Sequence, residues 1–313
     1  MPVSLSPRGN ASAYQVVYGY DFDGSSLSNP QAIRAFQVNH TGHTGGGMAM
    51  TDNGSILLTF GDNGDAFEDG RAFAQDDVSH LSKIVALDPM TGDVVILGKG
   101  VRNVQRLDVA VRGGQMYLDF VDIGGNVVEE FNSVLLADLL DLSSIDNFGW
   151  GRNSDGLARE GTFYVDTHGN VISDAPSGEV GFEQPFAEWG REAPGFFAGS
   201  GPISCPSSFT SIQTMFGDLP TGSVYAVQAA ASDSPAEVFR VNLFDAVLEP
   251  TTLAALAGGR PDPRFFCFGD DSAGVLLERS GAYYRIDEFS SVPEPTTLLL
   301  SLPALALLRR RRR

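Results

Sequence analysis

Four polar residues in the first third of the chain have side chains suited to proton transfer and to the stabilisation of negative charge. They are His43, Asp62, Arg102 and Asn103, and each lies just outside a short apolar run. An imidazole exchanges a proton near pH 7, and a guanidinium remains cationic at that pH. Because polar residues between strands collect in loops on a rigid sheet scaffold, we expect these four side chains to lie together.

The runs between these residues alternate apolar and polar positions and are joined by tight turns. Met48 to Phe60 is divided by Asp52-Asn53-Gly54, a turn typical of hairpins, and Lys83 to Gly98 and Val109 to Val121 repeat the pattern. Phe131 to Leu142 is apolar and compatible with a helix or a strand. Many short strands predict a sandwich, barrel or propeller, and Asp- and Gly-containing turns at blade-like intervals favour a propeller.

Composition excludes one class of partner. The chain has 39 acidic residues against 21 lysines and arginines, a net charge of −18. This charge argues against nucleic-acid binding, which needs a cationic surface. Cys205 and Cys267 do not form a CxxC motif, so a cysteine metal site is not expected. The sequence leaves open whether these two cysteines pair.

The C-terminal segment has three parts. Val292-Pro293-Glu294-Pro295 is a stiff linker, Thr296 to Leu308 is almost wholly apolar, and Arg309 to Arg313 follows. The apolar part is shorter than the about 20 residues of a spanning helix. Together with the arginines it fits a short apolar helix that anchors transiently in a membrane with its positive end inside.

This tail resembles the PEP-CTERM sorting signal of Gram-negative bacteria. The resemblance implies export, transient anchoring in the inner membrane, processing by an exosortase-type membrane enzyme, and delivery to the outer surface or extracellular matrix. Residues 1 to 5 have no basic region or long apolar region of a secretory signal, so we expect the start of the chain to be incomplete.

The stretch from about residue 14 to 287 resembles the soluble sugar dehydrogenases that use pyrroloquinoline quinone (PQQ), the glucose/sorbosone dehydrogenase domain. This family is a six-bladed β-propeller. The motifs that carry the resemblance are His43-Thr44-Gly45-Gly46, Gly61-Asp62-Asn63-Gly64, Lys83-Ile84, Gly100 to Gln105, Gly124-Gly125, Glu129 to Asn132, and Asn147 to Trp150.

The resemblance predicts an all-β chain, a β-propeller of the soluble quinoprotein sugar dehydrogenase type that lacks most of the first blade. Residues 1–42 would be a remnant of that blade, 43–288 the propeller, and 289–313 the sorting tail. The implied function is oxidation of the hydroxyl of an aldose or related sugar. His43 would act as general base, Asp62 would orient it, and Arg102 would stabilise negative charge on the quinone.

Two cofactors follow from the resemblance, PQQ and Ca²⁺. Asn103 and Arg264 would bind PQQ, and the carbonyls of Gly124 and Gly125 would help to hold Ca²⁺. The chain departs from the family at Pro220 and Phe266, where a lysine and an arginine are usual, and at Phe67, where a pocket glutamine is usual. Each lost charge-assisted bond costs about 1.5–3 kcal/mol. The alternative function is a non-catalytic cell-surface or matrix propeller that has lost the cofactor.

Overall fold

The computed structural model is almost wholly β, with three short helices among the described residues: α1 (Arg71–Gln75), α2 (Leu136–Leu139) and α3 (Leu253–Ala257). The structure describes residues 13–38, 42–63, 71–125, 127–152, 158–165, 171–174, 181–190, 198–203, 212–228, 238–245, 249–267, 273–291 and 304–310. Phe67 and Cys205 lie outside these residues, so the predictions made for them stay predictions.

A two-stranded hairpin precedes the His43 loop. Its antiparallel strands are β1 (Ala13–Phe22) and β2 (Leu27–Val38). Phe36 from β2 is buried in a cluster with Phe60 and Val85, and Val17 and Ile33 pack against the same cluster. The hairpin is therefore fixed to the following sheet by apolar burial, which is the dominant favourable term in packing.

The second sheet has the order β10-β6-β5-β4-β3. Its strands are β3 (Met48–Met50), β4 (Ile56–Phe60), β5 (Lys83–Leu87), β6 (Val94–Lys99) and β10 (Asp146–Asn147), which runs parallel to β6. The predicted hairpin turn lies between β3 and β4, where the backbone N–H of Gly54 donates to the carbonyl of Thr51. Gly54 has a φ of +86°, a conformation that glycine adopts without a steric cost.

The third sheet has the order β15-β9-β8-β7. Its strands are β7 (Val104–Arg112), β8 (Gln115–Asp122), β9 (Val128–Leu135) and β15 (Ala187–Gly190). The ambiguous segment that begins at Phe131 contains both structures, because β9 continues to Leu135 and α2 follows directly. A separate small sheet contains β11 (Gly151–Arg152), β12 (Ala158–Glu160), β13 (Phe163–Val165) and β14 (Val171–Asp174).

The last sheet has nine strands, with β20 paired only to β19. Its strands are β16 (Ala198–Ile203), β17 (Ile212–Asp218), β18 (Val224–Gln228), β19 (Val238–Phe244), β20 (Pro250–Thr251), β21 (Pro263–Cys267), β22 (Ala273–Leu277), β23 (Ala282–Ser291) and β24 (Ala304–Arg310). β24 lies between β19 and β23 and so joins the strands β16 to β19 to the strands β21 to β23 in one sheet.

β24 differs from the short apolar helix predicted over Thr296 to Leu308. From Ala304 onward the segment is a strand that pairs in parallel with β19 and antiparallel with β23. The edges of β19 and β23 offer backbone groups that an apolar strand can pair with. Among the described residues, no helix is long and apolar enough to cross a membrane.

Four strands, here called the inner strands, lie side by side: β3 contacts β7, β7 contacts β16, and β16 contacts β21. The Thr59 hydroxyl fixes two of these sheets to each other. It accepts from the backbone N–H of Gly47 at 2.8 Å and donates to the carbonyl of Val104 at 2.7 Å. The segments that precede β3 and β7 therefore meet at one end of this set of inner strands, and they carry His43 and Arg102.

Candidate active site

Asp62 connects His43 to Arg102. Its Oδ1 lies 2.9 Å from His43 Nδ1, and its Oδ2 lies 3.9 Å from Arg102 Nε. The Asp62 side chain is fully buried, whereas that of His43 is 27% exposed. A carboxylate only accepts hydrogen bonds, so this contact places a proton on Nδ1 and leaves Nε2 as the basic nitrogen. The arrangement gives one accessible base, oriented by a buried carboxylate.

Backbone hydrogen bonds hold the three segments in place. The carbonyl of His43 accepts from the N–H of Asn63 at 3.1 Å, and the N–H of Asp62 donates to the carbonyl of Arg102 at 2.8 Å. A Cβ atom at Gly61 would overlap the carbonyl oxygen of His43, so the chain needs glycine there. His43 itself has a φ of +46°, which non-glycine residues adopt rarely and mostly at special sites.

Arg102 is 5% exposed and has internal partners. Its Nη1 donates to the carbonyls of Ile123 at 2.8 Å and Gly124 at 2.7 Å. The guanidinium carbon lies 5.3 Å from the centre of the Trp150 ring, within the range of a cation–π interaction. The guanidinium is therefore held rigidly beside Asp62, as a fixed positive charge should be if it is to stabilise charge that develops in a reaction.

Two buried carboxylates support this region: Asp122, which the sequence analysis did not single out, and Glu129, which belongs to the motif Glu129 to Asn132. Asp122 accepts from the backbone N–H groups of Arg102 and Asn103, both at 2.7 Å. Glu129 accepts from the backbone N–H of Gly124 at 2.9 Å. The available signal was an acid at the end of the apolar strand β8, directly before Ile123-Gly124-Gly125, because such a position brings a charge into the core.

The two residues predicted to bind PQQ lie on different segments, Asn103 directly before β7 and Arg264 on β21. Asn103 Oδ1 accepts from the backbone N–H of Gly45 at 3.2 Å and so connects the two loops. Arg264 on β21 donates to Gln105 Oε1 at 3.2 Å and pairs with Glu278 at 2.9 Å. Arg264 therefore reaches the segment that begins with Arg102, although about 160 residues separate them in sequence.

Arg106 is a cation near this site that the sequence analysis missed. It is partly buried, and its Nη1 donates to the carbonyl of Phe265 at 3.0 Å. Burial lowers the pKa of Arg106, and the positive charge of Arg264 lowers it further. Two arginines are thus close enough to repel each other, and the negative charges of Glu278 and Asp108 partly offset this repulsion.

Pro220 and Phe266 stand where the PQQ-dependent sugar dehydrogenases usually have a lysine and an arginine, and neither residue is charged. Pro220 lies in the turn between β17 and β18, where Asp218 accepts from both the N–H and the hydroxyl of Thr221 at 2.7 Å. Phe266 on β21 packs its ring 6.0 Å from that of Tyr283. Arg102, Arg106 and Arg264 are cationic groups near the candidate site.

The predicted calcium site does not fit this arrangement. Calcium takes six to eight oxygen ligands at 2.3–2.6 Å. The Gly124 carbonyl oxygen already accepts from the Arg102 guanidinium, so a dication bound there would lie close to a fixed positive charge. In the part of the chain that the structure describes, no group of three or more His, Cys, Asp or Glu side chains could hold a metal. We assign no role to calcium.

Asp122 and Glu130 face each other across the β8–β9 ladder and are both buried. Glu130 Oε1 accepts from the backbone N–H of Gly161 at 2.6 Å. Burial, and then the charge of Asp122, raise the pKa of Glu130 to about 8. Burial raises the pKa of Asp122 to about 7 against the opposing effect of its two N–H donors. At neutral pH the pair therefore retains a proton that the unfolded chain would release.

This raised pKa predicts that stability depends on pH. Between the ordinary pKa of 4.5 and the folded-state value of about 8, folded Glu130 holds a proton that the unfolded chain has lost. The free energy of unfolding should therefore fall as pH rises through this window, by at most about 1.4 kcal/mol per pH unit for one proton. Glu130→Gln should flatten the slope between pH 6 and 8.

Urea unfolding at several pH values measures this effect. Glu249→Gln, which alters an exposed carboxylate, serves as the control and should keep the wild-type slope. Equal slopes in wild type and Glu130→Gln would show that Glu130 ionises normally in the folded protein.

Comparison with solved structures identifies the architecture. The chain matches the PQQ-bound form of an aldose sugar dehydrogenase from Streptomyces coelicolor with a TM-score of 0.53 and 18% identity. The match covers 85% of this chain and 66% of that one, so this chain spans just under two thirds of its length. The fold is a β-propeller of that type. The predicted fold class is thereby confirmed.

Two further solved structures match this chain with lower TM-scores. A virginiamycin B lyase from Staphylococcus aureus matches with a TM-score of 0.32 and 10% identity over 88% of this chain and 71% of that one. A putative 6-phosphogluconolactonase from Bacteroides fragilis matches at 0.27 and 11% over 90% and 92%. No protein-family model matches the chain. No curated protein matches it significantly.

Proposed function

We propose that the protein is a quinoprotein-type oxidoreductase that oxidises the hydroxyl of an aldose or related sugar. One observation carries the proposal: His43, Asp62 and Arg102, distant in sequence, form one connected group at the end of the inner strands. The propeller fold, which this chain shares with a PQQ-bound aldose sugar dehydrogenase, supports it. Fold alone does not determine function, whereas the side chains of the site determine which chemistry is possible.

In this proposal His43 removes the hydroxyl proton of the sugar through Nε2, while the hydrogen on the adjacent carbon leaves as hydride. PQQ would supply the hydride acceptor. Asp62 stabilises the imidazolium that forms, because its carboxylate lies 2.9 Å from Nδ1. Arg102 provides a fixed positive charge on the other side of Asp62.

Three arginines would hold the carboxylates of PQQ. Arg102 is rigid, and Arg106 and Arg264 place two positive charges near each other on β7 and β21. Guanidinium groups bind carboxylates through charge-assisted, often paired hydrogen bonds. Arg106 thus supplies positive charge that the positions of Pro220 and Phe266 do not.

We also propose where in the cell the protein is located. The tail of residues 289–313, with its Pro-Glu-Pro linker, apolar stretch and five arginines, supports export and delivery to the outer surface or matrix of a Gram-negative bacterium. An exosortase-type enzyme would cleave the tail during transient anchoring in the inner membrane. Expression of the full chain in such a host, followed by mass spectrometry of the mature C-terminus, tests this. A mature protein that keeps Arg313 contradicts it.

A non-catalytic binding propeller is the second candidate. Arg102 already donates to two carbonyl oxygens, and Pro220 and Phe266 bring no charge, which favours a protein that no longer binds the cofactor. Such a protein would keep the fold and lose quinone affinity. The two candidates therefore differ in one measurable property, the binding of PQQ.

The test is reconstitution of the full chain with PQQ, with and without Ca²⁺. We expect a change in the quinone absorption spectrum that saturates at one equivalent, and dye reduction when an aldose is added. Uptake of PQQ without dye reduction by a panel of aldoses would limit the proposal to cofactor binding. A chain that takes up no quinone under either condition supports the binding propeller.

A further inference from the structure

Asp122 is a buried carboxylate that binds the backbone of two predicted site residues. Its Oδ2 accepts from the backbone N–H of Arg102 and its Oδ1 from the backbone N–H of Asn103, both at 2.7 Å. It is 3% exposed, and the chain distance to these partners is about 20 residues. Charge-assisted bonds to backbone N–H groups are short and about twice as strong as neutral ones.

The two anchored residues point their side chains in different directions. Arg102 reaches the carbonyls of Ile123 and Gly124, on the same turn that follows Asp122. Asn103 reaches the N–H of Gly45, in the loop that carries His43. One carboxylate therefore fixes the backbone from which both contacts start.

Glu129 holds the turn that the Arg102 side chain contacts. It accepts from the N–H of Gly124, whose carbonyl oxygen accepts from Arg102. A shift of the Arg102 backbone would break contacts to Asp122, to Ile123 and Gly124, and to Asp62 at once. Interactions that share partners in this way are strongly coupled, so loss of one member affects the others.

We propose that Asp122 is the positioning residue of the candidate site: its two backbone contacts set the orientation of Arg102 and Asn103 for quinone binding. The part of this inference that concerns quinone binding rests on the proposed function. The anchoring itself is a property of the protein without cofactor. The two parts can therefore be tested separately.

Asp122→Asn is the test variant, because it keeps the shape of the side chain but presents an amide N–H₂ group to one of the two backbone N–H groups. Asp119→Asn is the matched control. Asp119 lies on the same strand, is fully buried and pairs with Arg112 and Ser133 instead. Both variants replace a buried carboxyl group by an amide, so a general loss of stability affects both.

The first readout is amide hydrogen exchange of Arg102 and Asn103, measured by NMR on the cofactor-free full chain. We expect at least one of the two amides to exchange about tenfold faster in Asp122→Asn, the equivalent of one weakened charge-assisted bond, and neither to change in Asp119→Asn. Unchanged exchange in both variants overturns the proposal. If Asp122→Asn does not fold, unprotected Arg102 and Asn103 amides in the wild type overturn it as well.

The second readout is titration with PQQ. We expect the dissociation constant to rise about tenfold or more in Asp122→Asn and to stay within about twofold of wild type in Asp119→Asn. Faster exchange with unchanged quinone affinity would overturn the positioning role. A wild type that binds no quinone would remove the proposed function, while the exchange measurement would still decide whether Asp122 anchors the segment.

Discussion

Replacement of His43 by alanine is expected to lower kcat for sugar oxidation by about 10²–10⁴-fold, the usual contribution of a positioned general base. The reason is that Nε2 is the basic nitrogen of an imidazole whose Nδ1 is bonded to Asp62. His43 is partly exposed and lies in a loop, so its loss should leave the free energy of unfolding within about 1 kcal/mol of wild type.

The measurement is steady-state dye reduction by the PQQ-loaded full chain. His80→Gln is the control, because His80 contacts Phe36, Phe60 and the carbonyl of Gln37 in the core beside the first hairpin. It should change stability and leave kcat close to wild type. Added imidazole should partly restore the activity of His43→Ala. Wild-type kcat in His43→Ala would rule out this residue as the base.

Replacement of Arg102 by methionine should have the second largest effect. It should lower both the free energy of unfolding and the affinity for PQQ. Removal of this buried cation takes the positive charge of Arg102 away from the buried carboxylate of Asp62 and removes the guanidinium donor from two carbonyl oxygens. Breaking a buried pair on one side costs about 3–5 kcal/mol. Quinone affinity should fall in parallel, because the same guanidinium is expected to bind it.

Arg112→Met is the matched control for Arg102→Met. Arg112 lies at the other end of β7 and forms a paired contact with buried Asp119, so its loss should also destabilise the fold. Its loss should not change PQQ binding. Urea unfolding and quinone titration of both variants separate the two effects. If both variants bind PQQ as the wild type does, Arg102 has only a structural role.

Arg102→Lys addresses the role of geometry rather than charge. Lysine keeps the positive charge but replaces the planar fork, which here donates to two carbonyls and lies over Trp150. Arginine and lysine are not equivalent at such sites. We therefore expect this variant to keep part of the stability that methionine loses and to bind PQQ more weakly than wild type.

The proposed chemistry depends on a difference in exposure within one connected group. His43 is accessible, whereas Asp62, Arg102 and Asp122 are buried. Buried charges are held in one position and act in a medium of low dielectric constant. Little reorganisation of the protein is therefore needed when charge develops on the reacting groups. The accessible imidazole is the one member of this group placed to contact a sugar.

Much of the fold could be predicted from the sequence. Alternating runs divided by Asp52-Asn53-Gly54 predicted β3 and β4 at nearly the observed ends, because a short turn with a glycine at positive φ selects a hairpin and its register. The motif resemblance from residue 14 to 287 predicted the propeller. The tail was predicted wrongly in part, since an apolar segment near sheet edges forms a strand at Ala304–Arg310 rather than a helix.

The sequence by itself determined which side chains could do chemistry, because residue type fixes what a group can donate, accept or ionise. Only the tertiary structure decided which of them meet. It brought Arg106 beside Arg264, directed the Gly124 carbonyl to Arg102 instead of a metal, and placed Asp122 under Arg102 and Asn103. The physical reason is that such contacts are made between strands of different sheets or different turns, and no local pattern encodes which strands become neighbours.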